Sequence, residues 1–400
     1  MPIQCKNCAG VVVFDPDLQK LTCRNCGGKY DVTHTDDTGF VDLQKVFDDR
    51  GKLESQDINV CVCSACGGRI VVDDVTITSE CPFCGNKGII FDRVSKRRRP
   101  DGVIPFAFGA KKAEEKARAH LMGSAFLSDK AKNMEFTRTV GIYVPYYVIS
   151  AEFKGILTYE QNAKKNDNPA DREQVARSVR CLFDKLTLEA SDALIDEAGF
   201  SLEPFDIKGI RTFEEGYLQG FCSDMADEDP KALYRKAKEI CKEYITSETE
   251  RKKIAPDGYH CIGFDKELKF MGKAVYALFP VWFVTGRYKK NRSVTILVNG
   301  QTGKAVGGPP YSKLRFALTV AAASILPVIL LSALGILGIS FVALCFAGRS
   351  PEYGGMAIAG LVTLASLIIA KATGKLSSVH KVLRMSSSER LIRFSGRRDK

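Results

Sequence analysis

FALTVAAASILPVILLSALGILGISFVALCFA, residues 316–347, contains no charged side chain. The break GRSPEYGG follows at 348–355, and a second apolar run, MAIAGLVTLASLIIA, covers 356–370. A membrane-spanning helix needs roughly 20 consecutive apolar residues. The first run exceeds that length and the second nearly reaches it. Only a helix or a closed barrel satisfies its backbone inside lipid. No polar alternation interrupts either run, so the pattern predicts a transmembrane helical hairpin over 313–371. A hairpin buried in a protein core is the alternative. Pro327, or Gly335 with Gly338, would kink or divide the first run.

Working outward, Lys313 and Arg315 precede the hairpin, and Lys371, Lys375, Lys381 and Arg384 follow it. The positive-inside rule then predicts a multi-pass protein of the inner, cytoplasmic membrane with both termini in the cytoplasm. Met1-Pro2-Ile3-Gln4-Cys5 lacks the basic region and apolar core of a secretory signal. A basic cytoplasmic tail covers 372–400. It either contacts anionic lipid or only enforces topology.

The net charge is +11, which suggests nucleic acid, but its distribution argues otherwise. Residues 1–95 carry 10 Lys/Arg against 14 Asp/Glu, and the excess gathers in Lys96-Arg97-Arg98-Arg99 and in the tail.

Of the 14 cysteines, eight form one pattern. Cys5, Cys8, Cys23 and Cys26 read C-x2-C-x14-C-x2-C, and Cys63, Cys66, Cys81 and Cys84 repeat it at an offset of 58 residues. Gly10 matches Gly68, Val13 matches Val71, Asp15 matches Asp73, Gly27 matches Gly85 and Lys29 matches Lys87, so the segment is an internal duplication. Each C-x2-C turn sets two thiolates on one side of a knuckle. Two knuckles joined by a hairpin present four sulfurs to one tetrahedral ion. The eight cysteines therefore predict two structural Zn2+ sites. Neither leaves a position open for water, and the metal supplies much of the folding energy of so small a unit. An iron–sulfur or redox role is the alternative. Gly10, Gly27, Gly67 and Gly85 are expected to supply the positive φ of the knuckles. Cys61, Cys181, Cys222, Cys241, Cys261 and Cys345 are scattered, which suits a reducing compartment.

The predicted organisation is multidomain. Residues 1–35 form zinc ribbon 1, 36–60 an acidic linker, 61–95 zinc ribbon 2, and 96–312 an α+β cytoplasmic domain ahead of the hairpin and tail. In that body, 110–126 and 230–253 read as helices, the second with Pro230 at its first position. Residues 141–154 read as a strand followed by hairpin strands to Tyr159; 180–188, 274–283 and 293–298 read as strands, and Asn299-Gly300 as a hairpin turn. Pro145–Lys154 aligns weakly with Pro280–Lys289 and suggests a second duplication. The aromatics Tyr143, Tyr146, Tyr147, Phe279, Trp282 and Phe283 form either sheet core or a peptide groove. No phosphate loop, H-E-x-x-H or G-x-S-x-G occurs, and His34, His120, His260 and His380 lie far apart. No enzyme is expected.

The paired ribbons, Tyr143-Val-Pro-Tyr-Tyr147, Phe279-Pro-Val-Trp282 and Val298-Asn-Gly-Gln-Thr-Gly-Lys304 ahead of a hydrophobic hairpin resemble a bacterial family. It is described as transcription-factor-IIB-type zinc-ribbon membrane proteins. Members are linked to membrane-stress systems built on phage-shock and flotillin-like proteins. The resemblance implies a membrane-anchored adaptor that recruits cytoplasmic proteins; membrane lipid is a further expected partner by virtue of the hairpin, and the sequence is compatible with a homo-oligomer. A membrane-tethered nucleic-acid-binding ribbon protein is the second reading, disfavoured by the acidic ribbons.

Overall fold

Gly141-Ile-Tyr-Val-Pro-Tyr-Tyr-Val-Ile-Ser-Ala151 is β-branched and aromatic almost throughout, the signature of a strand covered on both faces. It lies in β8 (Glu135–Gln161), which runs antiparallel to β12 (Tyr259–Lys289) along nearly its whole length. The computed structural model describes residues 3–33, 55–64, 68–72, 81–83, 87, 89–124, 126–162, 172–191, 194–224, 226, 230–251, 258–289, 292–309, 312, 314–318 and 321. Around the β8–β12 pair these residues build an 11-stranded sheet, and a separate 3-stranded sheet stands at the N-terminus.

The small sheet is β1 (Val12–Asp15), β2 (Lys20–Cys23) and β3 (Lys29–Tyr30). The large one begins with β4 (Ser55–Cys63), β5 (Arg69–Val72), β6 (Ile89–Arg98) and β7 (Gly102–Val103). After β8 come β9 (Gln174–Glu189), β10 (Arg211–Thr212) and β11 (Cys222–Ser223), then β12, β13 (Arg292–Asn299) and β14 (Ala305–Val306). The path runs β10-β7-β12-β8-β11-β5-β4-β6, with β9 beside β8 and β13 joining β12 to β14. The two-residue strand β11 makes the decisive crossover. It pairs in parallel with β8 at Ile142 and Tyr143, and antiparallel with β5 at Val71. It thereby welds the second cysteine motif to the central pair.

Side chains alternate across the sheet with period two. Ile142, Val144, Tyr146 and Val148 share one core with Ala277, Phe279, Val281 and Phe283. Tyr143 on β8 shares the opposite core with Tyr276, Leu278, Trp282 and Val284. Helix α1 (Ala110–Gly123) covers the second face with Ala113, Ala117 and Leu121, spaced one turn apart. The short helix α2 (Asp129–Lys132) packs beside it, capped by the Ser128 hydroxyl, which accepts from Ala131 N at 3.3 Å. Helix α3 (Asp196–Leu202) covers the first face. Helix α4 (Pro230–Arg251) lies on the far arm, where Ala237, Cys241 and Ile245 meet Phe153, Leu157 and Tyr159.

Three expectations are corrected here. The body is not an even α+β mixture: long strands dominate it, and the described helices are few. A strand buried on both faces leaves no polar alternation, so the local pattern understates how far the sheet extends. The acidic stretch 36–60 is not all linker, because its end from Ser55 is β4, paired with β6 through Arg98. The third correction concerns the transmembrane helical hairpin and the multi-pass membrane localisation with cytoplasmic termini. Among the described residues no helix is long and apolar enough to cross a membrane. Absence of charge reports a preference for leaving water, and a packed protein core meets that preference as lipid does. Of the apolar runs only 316–318 and 321 are described, as helix; the remainder, and the tail 372–400, lie outside the described residues.

The two segments read as a weak duplication, at Pro145 and Pro280, fall on β8 and β12 as antiparallel neighbours. Their aromatics are sheet core and not a groove, Tyr143, Tyr146 and Phe279 being fully buried.

Candidate metal centre

The two N-terminal knuckles are built alike. In the first, Cys5 N donates to Gly10 O at 2.9 Å and Ala9 N to Cys5 O at 2.8 Å. In the second, Cys23 N donates to Gly28 O at 2.8 Å and Gly27 N to Cys23 O at 3.0 Å. The turn demands a positive φ at the residue after the second cysteine: 56° at Ala9 and 72° at Gly27. Glycine supplies it in one knuckle and alanine in the other. Gly10 serves a different need. A Cβ there would stand 3.1 Å from Asn25 Cβ and 3.3 Å from Cys8 Sγ, so this glycine makes room for the sulfurs.

The result brings Cys5, Cys8, Cys23 and Cys26 together, with all four sulfurs within 4.8 Å of one another. Cys5 and Cys26 are 3.5 Å apart and Cys8 and Cys23 3.6 Å, beyond any disulfide. An all-thiolate tetrahedron with metal–sulfur bonds of about 2.3 Å has sulfur–sulfur edges of about 3.8 Å. The four cysteines therefore lie close enough to hold a metal ion. Cys5 and Cys23 are buried, whereas Cys8 and Cys26 are exposed.

The electrostatics fit a cation. The Tyr30 hydroxyl beside Cys5 draws its thiol down to about 6, helped by the amides of Asn7 and Cys8. Cys26 is pushed up to about 12: the Gly28 amide favours its thiolate, but Cys5, Cys8 and Cys23 together outweigh that amide. Four thiolates in this space oppose one another, and a divalent ion among them removes the conflict.

The centre is not a free finger. Val12, Phe14, Leu21, Cys5 and Cys23 belong to the same core as Tyr143, Tyr217 and Trp282. Phe14 N donates to Gln219 O at 2.9 Å, and the Gln19 amide donates to Phe106 O at 2.7 Å. The Phe14 ring meets Tyr217 edge-on at 5.2 Å.

Of the second motif, Cys63 and Cys81 are described and buried; Cys66 and Cys84 lie outside the described residues. Cys63 N donates to Gly68 O at 3.0 Å, repeating the Cys5–Gly10 bond at the same offset. Arg138 donates to Cys81 O at 2.7 Å, and Phe83 meets Phe283 at 6.1 Å, so this knuckle is plugged into the body. Cys61 is buried in β4, where burial raises its thiol.

Other residues singled out in the sequence take structural places. His120 bonds Gly307 O at 2.9 Å, and burial lowers its pKa. His260 bonds Asn162 at 3.0 Å in an exposed position, and His34 and His380 lie outside the described residues. Sequence reasoning missed two features. One is Tyr30, whose hydroxyl is 3.0 Å from Cys5 Sγ. The other is a buried polar cluster in which Lys236 meets Glu189 at 3.2 Å and Ser191 meets Asp224. Its members are scattered along the chain, so no local motif announces it.

No family model matches the chain, and no solved structure matches it. It is similar to "Uncharacterized protein YdjG" of Bacillus subtilis (strain 168), with 26% identity over 329 residues, covering 78% of this chain and 91% of that protein.

Proposed function

We propose that the chain is a zinc-stabilised protein-binding adaptor. Cys5, Cys8, Cys23 and Cys26 hold one structural Zn2+, and Cys63, Cys66, Cys81 and Cys84 a second. The observation that carries this reading is the four-sulfur cluster built into the body's own core. Cysteine fills every ligand position, which suits a structural ion. Neither centre takes part in a reaction, and the protein acts by presenting a surface. The Lys96–Arg99 cluster weakens the nucleic-acid alternative. Arg98 lies 5.9 Å from the Tyr147 ring, 5.8 Å from the Tyr276 ring and 2.5 Å from Asp101, and Arg99 lies over Phe213 at 5.5 Å. Half of that basic run is committed to the fold.

Partners of the phage-shock or flotillin-like kind, which the resemblance implies, are the first to test. Elemental analysis of the purified chain is expected to return two zinc ions. Cross-linked co-purification should capture a protein that a Cys5→Ser/Cys8→Ser variant loses. A metal-free chain, an iron chromophore, or an unchanged set of partners would overturn the reading.

A further inference from the structure

We propose that Tyr30 is an outer-sphere donor to the metal-bound thiolate of Cys5, and that it makes the first centre bind its ion more tightly than the second. This rests on the reading of both cysteine sets as metal sites. The Tyr30 hydroxyl stands 3.0 Å from Cys5 Sγ. Against a thiol either group could donate; against a thiolate only the hydroxyl can. Strand β3 fixes the tyrosine, pairing it with Leu21 of β2, and its ring packs against the core that holds Cys5 and Cys23. The geometry also needs the glycine two residues earlier. A Cβ on Gly28 would stand 3.0 Å from the Tyr30 hydroxyl.

At the duplication offset of 58, the counterpart of Tyr30 is Gly88 and that of Gly28 is Asn86. The donor and the gap that admits it differ together. The second centre, otherwise the same in ligand type and spacing, carries no tyrosine at this place. A hydroxyl bonded to a ligating sulfur holds that sulfur's orientation and spreads its charge, and loss of such outer partners costs metal affinity about 10–100-fold.

The test uses the full chain and Tyr30→Phe, which keeps the ring and deletes the hydroxyl. Zinc transfer to a chromophoric chelator is followed in both, and cobalt(II) alone is titrated as a spectroscopic stand-in. In Tyr30→Phe one of the two ions should leave at least 10-fold more readily while the other is unchanged. The sulfur-to-cobalt charge-transfer band should move to lower energy, because sulfur lone pairs rise when a donor is removed. Gly28→Ala, which crowds the hydroxyl while keeping it, should shift both readouts in the same direction. Equal weakening of both ions, or an unchanged spectrum with unchanged release, would overturn the role of Tyr30 and leave the metal reading standing. A wild-type chain that binds neither zinc nor cobalt would overturn both.

Discussion

Phe14→Ala tests whether the N-terminal cysteine unit is part of the body or merely tethered to it. Phe14 is 2% exposed and sits 5.2 Å from the Tyr217 ring and 6.5 Å from the Phe221 ring. Phe221 in turn lies 5.8 Å from Trp282, the one tryptophan of the chain. Truncating a buried phenylalanine costs about 3–5 kcal/mol. The lower half of that range applies, because Tyr217 and Phe221 come from a turn-rich segment that can close over part of the cavity. With a urea m-value of about 3 kcal/mol/M, a loss of about 3 kcal/mol moves the midpoint by about 1 M. The assay is urea unfolding followed by Trp282 fluorescence. Trp282 lies on β12, far in sequence from the cysteines, so it reports the body. A midpoint about 1 M lower is expected. If the Trp282 transition keeps its midpoint while the cysteine unit loses its metal, the shared core is refuted.

Glu203 donates a pH signature: burial raises its pKa, with the Thr187 hydroxyl 2.6 Å away opposing the shift. The folded chain thus holds this proton more tightly than the unfolded one, so the residue's contribution falls as pH rises from about 4.3 through the raised folded value. Glu203→Gln should match wild type in acid and become relatively more stable through that window; a gap that opens toward acid instead would contradict it. Asn299 is fully buried, accepts from Gln301 N and Thr302 N at 2.9 Å each, and donates to Leu202 O at 3.0 Å. Asn299→Ala should cost about 2–4 kcal/mol and speed amide exchange at Gln301 and Thr302, whereas unchanged exchange would argue against the side chain as the loop's organiser. The Lys236 and Glu189 side chains are 12% and 3% exposed, so Lys236→Met removes the cation beside a buried carboxylate and should cost about 3–5 kcal/mol. Thermal unfolding should show most of that loss recovered in Lys236→Met/Glu189→Leu, and a double variant no better than the single would show that the charge is not the cause.

Local chemistry was legible wherever neighbours in sequence decide the structure. The C-x2-C spacing foretold the knuckles at Cys5 and Cys23, because each knuckle closes on itself within five residues. Asn299-Gly300 foretold the β13–β14 connection for a related reason: Asn299 bonds the backbone of its own loop. The helix read at 230–253, with Pro230 at its first position, is α4. What escaped is non-local. Nothing around Cys222 announces that two residues will bridge β8 and β5. Tyr30 reads as an ordinary strand residue until the fold brings Cys5 beneath its hydroxyl. Arg98 reads as surface charge until Tyr147 and Tyr276 close on it. The hairpin expectation rested on absence of charge alone, and among the described residues no helix is long and apolar enough to cross a membrane.

The duplication gains its meaning from where its copies stand. Cys5, Val12, Phe14 and Cys23 lie in the core that contains Tyr143 and Trp282. Cys63, Ile70, Cys81 and Phe83 lie in the core that contains Ile142, Val144 and Phe283. These cores are the opposite faces of the same two strands, since consecutive residues of β8 and β12 point to opposite sides. One copy therefore caps each side of the central pair. A sheet buried on both faces must find two covers, and a small cysteine unit that cannot stabilise itself must find a larger core. Duplicating the unit answers both needs at once.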